Sequence, residues 1–388
     1  LLLQALYPNL ILENTSNSDD SEVMSRALNS QLTTHNSQLI DVHHAGTAMR
    51  FLTAFFAIQE GKEVVITGSS RMKERPIKIL VDALNQLGAE ISYEENEGFP
   101  PIRIKGKKLT QNKVSLPANV SSQYISALLL IAPKLENGLE LTLEGEITSV
   151  PYIKMTLALL NEIGVKTSFV GNKITVCHAE LVSASQLTVE SDWSSASYWY
   201  SIVALSEIGI QISLSSYKEN SLQGDSALVE IYQDFGVETT FNSDNSITIS
   251  KERIHNSQLT THNSQLNNSP DIAQTIAVTC FGLGMGCDLT GLHTLKIKET
   301  DRLEALKMEL TKLGAEISVT NDSLYLKSSS AIKEKISIST YQDHRMAMAF
   351  APLALKVPII IENAEVVSKS YPSFWEDLKK AGFLIEEI

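Results

Sequence analysis

The sequence predicts an α/β fold built as two similar halves, and three observations carry that prediction. One phrase recurs along the chain: an amphipathic helix, a glycine, then an alternating strand. Its glycines, Gly88, Gly164, Gly236, Gly314 and Gly382, are spaced by 76, 72, 78 and 68 residues. The length, 388 residues, suits two or three domains. Spacings near seventy are too long for a solenoid repeat, and suit a unit of several strands and two helices used repeatedly. Six such units place a boundary near Glu190, giving domains 1–189 and 190–388.

Each glycine fits the left-handed position just past a helix end, where the missing Cβ removes a steric penalty. The segment Asp19 to Leu28 reads as an earlier helix of the series without its glycine. Leu1-Leu2-Leu3-Gln4-Ala5-Leu6 reads as a helix already under way. It has no initiator Met and no basic stretch of a signal peptide, so a preceding segment is expected. No apolar run reaches 18 residues, so no membrane-spanning helix is predicted.

The formal net charge is −13, with only eight arginines among 32 basic residues. So acidic a surface argues against a general nucleic-acid partner or a polybasic membrane contact, but not against small anionic ligands held by a local cation cluster. Cys177, Cys280 and Cys287 form no Cys-x-x-Cys pair and leave one over. That suits a reducing compartment, hence the cytoplasm, and neither a disulfide framework nor a zinc site.

An eleven-residue polar segment, Asn-Ser-Gln-Leu-Thr-Thr-His-Asn-Ser-Gln-Leu, occurs identically at 29–39 and 256–266. Both copies read as solvated loops, so His35, His255 and His262 are expected to be uninformative. A metal site of His35 with His43 and His44 lacks a carboxylate or Cys at ligand spacing.

Seven segments carry candidate chemistry. His44-Ala45-Gly46-Thr47-Ala48-Met49-Arg50 opens the apolar helix Phe51 to Ile58 and can present backbone N–H groups, a hydroxyl and a guanidinium to an anion. It is equally an ordinary helix start. Arg71, Lys73 and Arg75 follow the strand Glu63 to Thr67, at the kind of strand end where α/β proteins bind ligands; a solvated charge run offset by Glu74 reads the same way. Ser121-Ser122-Gln123 opens a helix through Pro133, as phosphate contacts or as caps. Asp271, in Pro270-Asp271-Ile272, is a cap or a base.

Lys298-Glu299-Thr300-Asp301-Arg302 leads into the helix Glu304 to Leu313. Arg302 lies three after Glu299, so the two can share one helix face. Asp343-His344-Arg345 opens a nearly all-apolar helix, and polar residues there must line a site or cap its end. Lys369 stands in a polar turn before the last helix and by itself reads as a surface residue.

Taken in order, these segments resemble the enolpyruvyl transferase family, in its 5-enolpyruvylshikimate-3-phosphate synthase branch, over essentially the whole chain. The resemblance implies two domains, each of three βαβαββ-type units with the first truncated, closing on the substrates at their junction. It implies transfer of the enolpyruvyl group of phosphoenolpyruvate to the 5-hydroxyl of shikimate-3-phosphate. The implied partners are these two small anions alone, with no cofactor and no metal, and the working form is a monomer. Arg71, Arg302, Arg345 and Lys369, with Gly46, Thr47 and Gln123, match phosphoenolpyruvate contacts. Ser121, Ser122, Gln123, Ser149, Tyr152, Asp271 and Lys298 match shikimate-3-phosphate contacts. Asp271 matches the base at the hydroxyl, and Glu299 and Lys369 the groups that move a proton at the methylene carbon. Arg50, Arg75 and His344 support them.

The family also carries a Lys-Ser-x-Ser-x-x-Arg-like segment before the first helix, and its absence leads this reading to expect an impaired chain. The sibling UDP-N-acetylglucosamine enolpyruvyl transferase is disfavoured, because its active-loop Cys has no counterpart here. A pseudoenzyme is the remaining alternative, against which the intact Asp271, Glu299, Arg345 and Lys369 argue.

Overall fold

A computed structural model describes residues 1–29, 38–118, 121–145, 147, 150–180, 186–253, 259–329 and 331–388. The chain divides into two compact units, Leu1–Val189 and Glu190–Ile388, each with its own apolar core.

Two βαβαββ modules make most of the first unit. One runs strand Gln38–Asp41, helix Gly46–Ala57, strand Glu63–Thr67, helix Lys78–Gln86, then strands Glu90–Tyr93 and Ile102–Lys105. Its sheet starts with a parallel pair and ends in two antiparallel ones, in the order 38–41, 63–67, 102–105, 90–93. The second repeats this arrangement with strands Lys113–Pro117, Leu139–Glu144, Lys173–Val176 and Thr167–Val170 and helices Ser122–Ile131 and Val150–Glu162. A two-stranded parallel sheet joins Ile11–Glu13 to Gln186–Thr188 and ties the two ends of the unit together.

The second unit holds a third complete module, with strands Thr261–Gln265, Gly286–Thr290, Ser323–Leu326 and Ile317–Val319 in the same pairing order and helices Ala273–Gly282 and Arg302–Lys312. Beside it lie an antiparallel three-stranded sheet, Gln211–Leu214, Ile247–Lys251 and Val237–Phe241, and a parallel pair, Ile336–Ile338 with Ile359–Ile361.

The apolar helices form the centre of each unit. Gly46–Ala57 packs on Ser122–Ile131, and Ala273–Gly282 packs on both Trp193–Leu205 and His344–Phe350. Nearly every residue of these five helices is buried, which explains sequences too apolar for a one-sided amphipathic helix. Their first turns carry Gly46 and Thr47, Ser122 and Gln123, Ser194, and Arg345, and Asp271 lies two residues ahead of Ala273–Gly282. Among the described residues, no helix is long and apolar enough to cross a membrane.

All five phrase glycines take positive φ, from 72° at Gly236 to 104° at Gly314, as the helix-end reading required. Two local expectations fail. The helix expected before Gly236 is one α-turn, Leu228–Ile231, followed by the 3-10 turn Tyr232–Phe235. The loop reading of the duplicated segment is overturned in its second copy. Thr261–Gln265 is a strand, and His262 is buried with its Nδ1 2.9 Å from Asp234 Oδ2. In the first copy Gln38 and Leu39 open a strand, and the rest of that copy after Asn29 lies outside the described residues, as do His35 and His255.

Candidate active site

The second unit gathers its candidates around one guanidinium. Arg302 begins the helix Arg302–Lys312, capped by Asp301, whose side chain accepts from Glu304 N. Its side chain is 2% exposed. It donates from Nε to Asp343 Oδ2 (2.6 Å), from Nη1 to Asp271 Oδ1 (2.8 Å) and from Nη2 to Glu299 Oε2 (2.8 Å). A planar fork with five N–H donors in fixed directions serves three carboxylates spread around its plane. Glu299 in turn accepts from Lys369 Nζ, and Lys298 Nζ lies 3.2 Å from Asp271 Oδ1.

The alternatives for Asp271 are resolved by these contacts. The helix Ala273–Gly282 has no side-chain cap, so the Asp271 carboxylate is spent on cations instead. Burial raises its proton affinity, but Lys298, Arg345 and Arg302 outweigh burial and hold it well below the usual carboxylate range. It is therefore ionised in the free protein.

Asp343 does two jobs. Its Oδ1 accepts from Arg345 N and caps His344–Phe350, while Oδ2 takes Arg302 Nε. Arg345 Nη2 stands 3.7 Å from Asp271 Oδ2 and donates to Ser194 Oγ at 3.2 Å. His344 is buried, and burial first, then the charges of Lys369 and Arg345, push its imidazole well below its usual value, so it is neutral near pH 7. Lys369 is largely buried on Glu299, against the surface reading of that residue taken alone.

In the first unit, Gln123 Nε2 donates to Thr47 Oγ1 (2.9 Å), joining two helix starts. A Cβ on Gly46 would meet the Arg75 guanidinium at 2.6–2.9 Å, so the bare backbone lets Arg75 lie against the start of Gly46–Ala57. Arg50 is buried; it donates to Gly46 O (3.0 Å) and Pro76 O (3.3 Å), and Tyr124 stacks near it and donates to Pro76 O (2.6 Å). It shapes the loop after the strand Glu63–Thr67 rather than offering a free charge. Arg71 is half-exposed and pairs with Glu74 (3.0 Å). Ser121 caps Ser122–Ile131 through Gln123 N, and Tyr152 sits in the first turn of Val150–Glu162. Ser149 lies outside the described residues.

The sequence reading missed Asp343 as a partner of Arg302, and Ser194 and Asp225 altogether. Ser194 donates to Asp225 Oδ2 while accepting from Arg345. Asp343 announced itself as a helix cap; nothing local links Ser194 to residues 31 and 151 positions away.

The chain is mixed α/β, built of repeated βαβαββ modules with cations and carboxylates at the starts of its core helices. Residues 3–378 match the family model for EPSP synthase (3-phosphoshikimate 1-carboxyvinyltransferase). The chain is 47% identical over 379 residues to the 3-phosphoshikimate 1-carboxyvinyltransferase of Bacteroides fragilis strain YCH46, covering 97% of this chain and 90% of that protein. It is 37% identical over 344 residues to the same enzyme of Haemophilus influenzae strain PittEE, covering 87% and 77%. EPSP synthase from Acinetobacter baumannii shares its fold, with a TM-score of 0.77 at 21% identity over 99% of this chain and 94% of that one. The chain belongs to the EPSP synthase family.

Proposed function

We propose that the chain transfers the enolpyruvyl group of phosphoenolpyruvate to the 5-hydroxyl of shikimate-3-phosphate and releases phosphate. The observation that carries this reading is the buried Asp271–Arg302–Glu299–Lys369 chain of contacts, which sets an ionised carboxylate beside a second carboxylate that accepts from an ammonium. Asp271 takes the proton of the 5-hydroxyl as its oxygen bonds to C2 of phosphoenolpyruvate. Glu299 and Lys369 deliver a proton to C3, giving a tetrahedral adduct. Phosphate then leaves C2, and loss of a C3 proton forms the enol ether.

A carboxylate held so low is a weak base in the free protein. Anionic substrates settling among Lys298, Arg302 and Arg345 offset those cations and raise the proton affinity of Asp271. Arg302, Arg345 and Lys369, with Gly46, Thr47, Gln123 and Arg71, hold phosphoenolpyruvate. Ser121, Ser122, Gln123, Ser149, Tyr152, Asp271 and Lys298 hold shikimate-3-phosphate. Residues 1–189 thus serve mainly the sugar phosphate, and residues 190–388 phosphoenolpyruvate and the chemistry. His344 is a neutral neighbour to Lys369, and Arg50 and Arg75 shape the loop. The same reading puts the enzyme in the cytoplasm as a monomer, and free Cys177, Cys280 and Cys287 suit that compartment.

The test is phosphate release by the purified protein. It should require both substrates, fail when UDP-N-acetylglucosamine replaces shikimate-3-phosphate, and drop roughly 100-fold or more in Asp271→Asn and Glu299→Gln. Phosphate release without shikimate-3-phosphate, or none with both substrates, would overturn it.

A further inference from the structure

Ser194 is held at every polar atom. Its N–H donates to Asp192 Oδ1 (3.0 Å), its carbonyl accepts from Ser197 Oγ (2.6 Å), and its hydroxyl lies between Asp225 and Arg345. Asp225 sits on the 3-10 turn Gly224–Ala227, and Gln223 stitches that turn to the start of Trp193–Leu205. Gln223 Oε1 accepts from Trp193 N (3.0 Å), and its Nε2 donates to Ser191 O (2.8 Å). Asp225 is buried, and its Oδ1 has no hydrogen-bond partner among the described residues. A carboxylate in that setting is costly unless it does something for a neighbouring charge.

We propose that Ser194 and Asp225 are positioning residues for Arg345: Asp225 accepts the one hydrogen bond the Ser194 hydroxyl can donate, which leaves the Ser194 oxygen as an acceptor that holds the Arg345 guanidinium against Asp271. The inference rests on the function proposed above only for its kinetic readout. Ionised Asp225 orients the hydroxyl and places a second negative charge behind Arg345. Neutral Asp225 does neither as well, and Arg345 is freed from its place beside Asp271.

The charged groups facing Asp225 are Asp271, Arg345 and Asp192, with the Ser194 hydroxyl. Burial, then the negative charge of Asp271, push its carboxyl up to about 7, against the pull of Arg345 and Ser194. Its charge therefore changes across neutral pH, ionised above and neutral below. The hold on Arg345 weakens as pH falls through 7, and the KM for phosphoenolpyruvate rises.

Two variants and one structure test this. In Ser194→Ala the KM for phosphoenolpyruvate should rise about tenfold or more, beyond any change in kcat, because a hydrogen bond to a charged group is lost. In Asp225→Asn, which keeps the shape and an acceptor for Ser194, KM should lose the part of its pH dependence centred near 7. Substrate phosphates titrate in that region in both proteins, so the difference between variant and parent is the quantity read. A crystal structure of Ser194→Ala should show Arg345 turned away from Asp271. Unchanged KM and pH profiles in both variants overturn the proposal. So does Arg345 in its original place in that structure, whatever the activity. Absence of turnover in the unaltered protein would sink the proposed function, and the structure would still decide the role of Ser194.

Discussion

Arg302 is the residue on which the second unit's polar centre depends. Three carboxylates, Asp271, Glu299 and Asp343, converge on a side chain that water scarcely reaches. Removing one partner of such a group strands the others, at about 3–5 kcal/mol. Arg302→Ala should therefore lower the melting temperature by several degrees and abolish phosphate release. Arg302→Lys, which keeps the charge but not the fork, should melt closer to the parent and still lose most turnover. Thermal melts beside the assay would show it, and an Arg302→Ala protein as stable as the parent would contradict the account.

His344 makes a prediction about pH. Its folded-state pKa lies well below the usual value of about 6.5, because burial and then Lys369 and Arg345 disfavour the imidazolium. The unfolded chain binds that proton more readily, so stability from this group is full above about pH 6.5 and declines as pH falls toward the folded value. His344→Gln should flatten the loss of stability below pH 6.5 in denaturation curves; an unchanged slope would exclude His344 as its source. The Glu299–Arg302 pairing was legible from their three-residue spacing, although Glu299 lies ahead of the helix, which begins at Arg302. The Arg302–Asp343 bond spans 41 residues and has no local signature.

At the scale of elements, the duplicated eleven residues show how little a short polar sequence decides. Leu39 and Leu266 end the two identical copies, yet Leu39 is 67% exposed and Leu266 is 1% exposed. Thr261–Gln265 pairs in parallel with Gly286–Thr290, and in the first copy Gln38 and Leu39 pair in parallel with Val64 and Val65. The neighbouring strand sets the register, and a shift of register changes which side chains meet the core. Leu266→Ala should cost about 2–5 kcal/mol and Leu39→Ala no more than about 0.5 kcal/mol. Urea denaturation would compare them, and equal effects would refute the assigned register. Helix starts were more legible, since Ser121, Asp301 and Asp343 are caps by residue type as well as by geometry. The helix expected before Gly236 was misjudged because Leu228–Phe235 breaks into an α-turn and a 3-10 turn beneath the strand that follows.

For the whole molecule, the two units have separate cores, and all three tryptophans, Trp193, Trp199 and Trp375, belong to residues 190–388. Tryptophan emission therefore reports the second unit alone, while far-UV circular dichroism reports both. Units held by separate cores should unfold with separate midpoints by the two probes, and residues 190–388 expressed alone should reproduce the tryptophan transition. Coincident transitions with an unfolded fragment would show one cooperative core instead. The net charge of −13 belongs to the same scale. Five of the eight arginines, Arg50, Arg71, Arg75, Arg302 and Arg345, lie in the segments singled out from sequence. Arg50 and Arg302 are buried among partners of their own.

By itself the sequence determined the periodic α/β plan, the glycine punctuation and most of the polar residues at helix starts. These follow from side-chain periodicity, backbone freedom and capping, all of which act within a few residues. Only the tertiary structure decided that Asp271 serves cations rather than a helix end, that Asp343 and Glu299 share Arg302, that Lys369 is buried, and that Thr261–Gln265 is a strand. Each of those outcomes is fixed by groups tens of residues away, brought together by packing of core helices and pairing of strands.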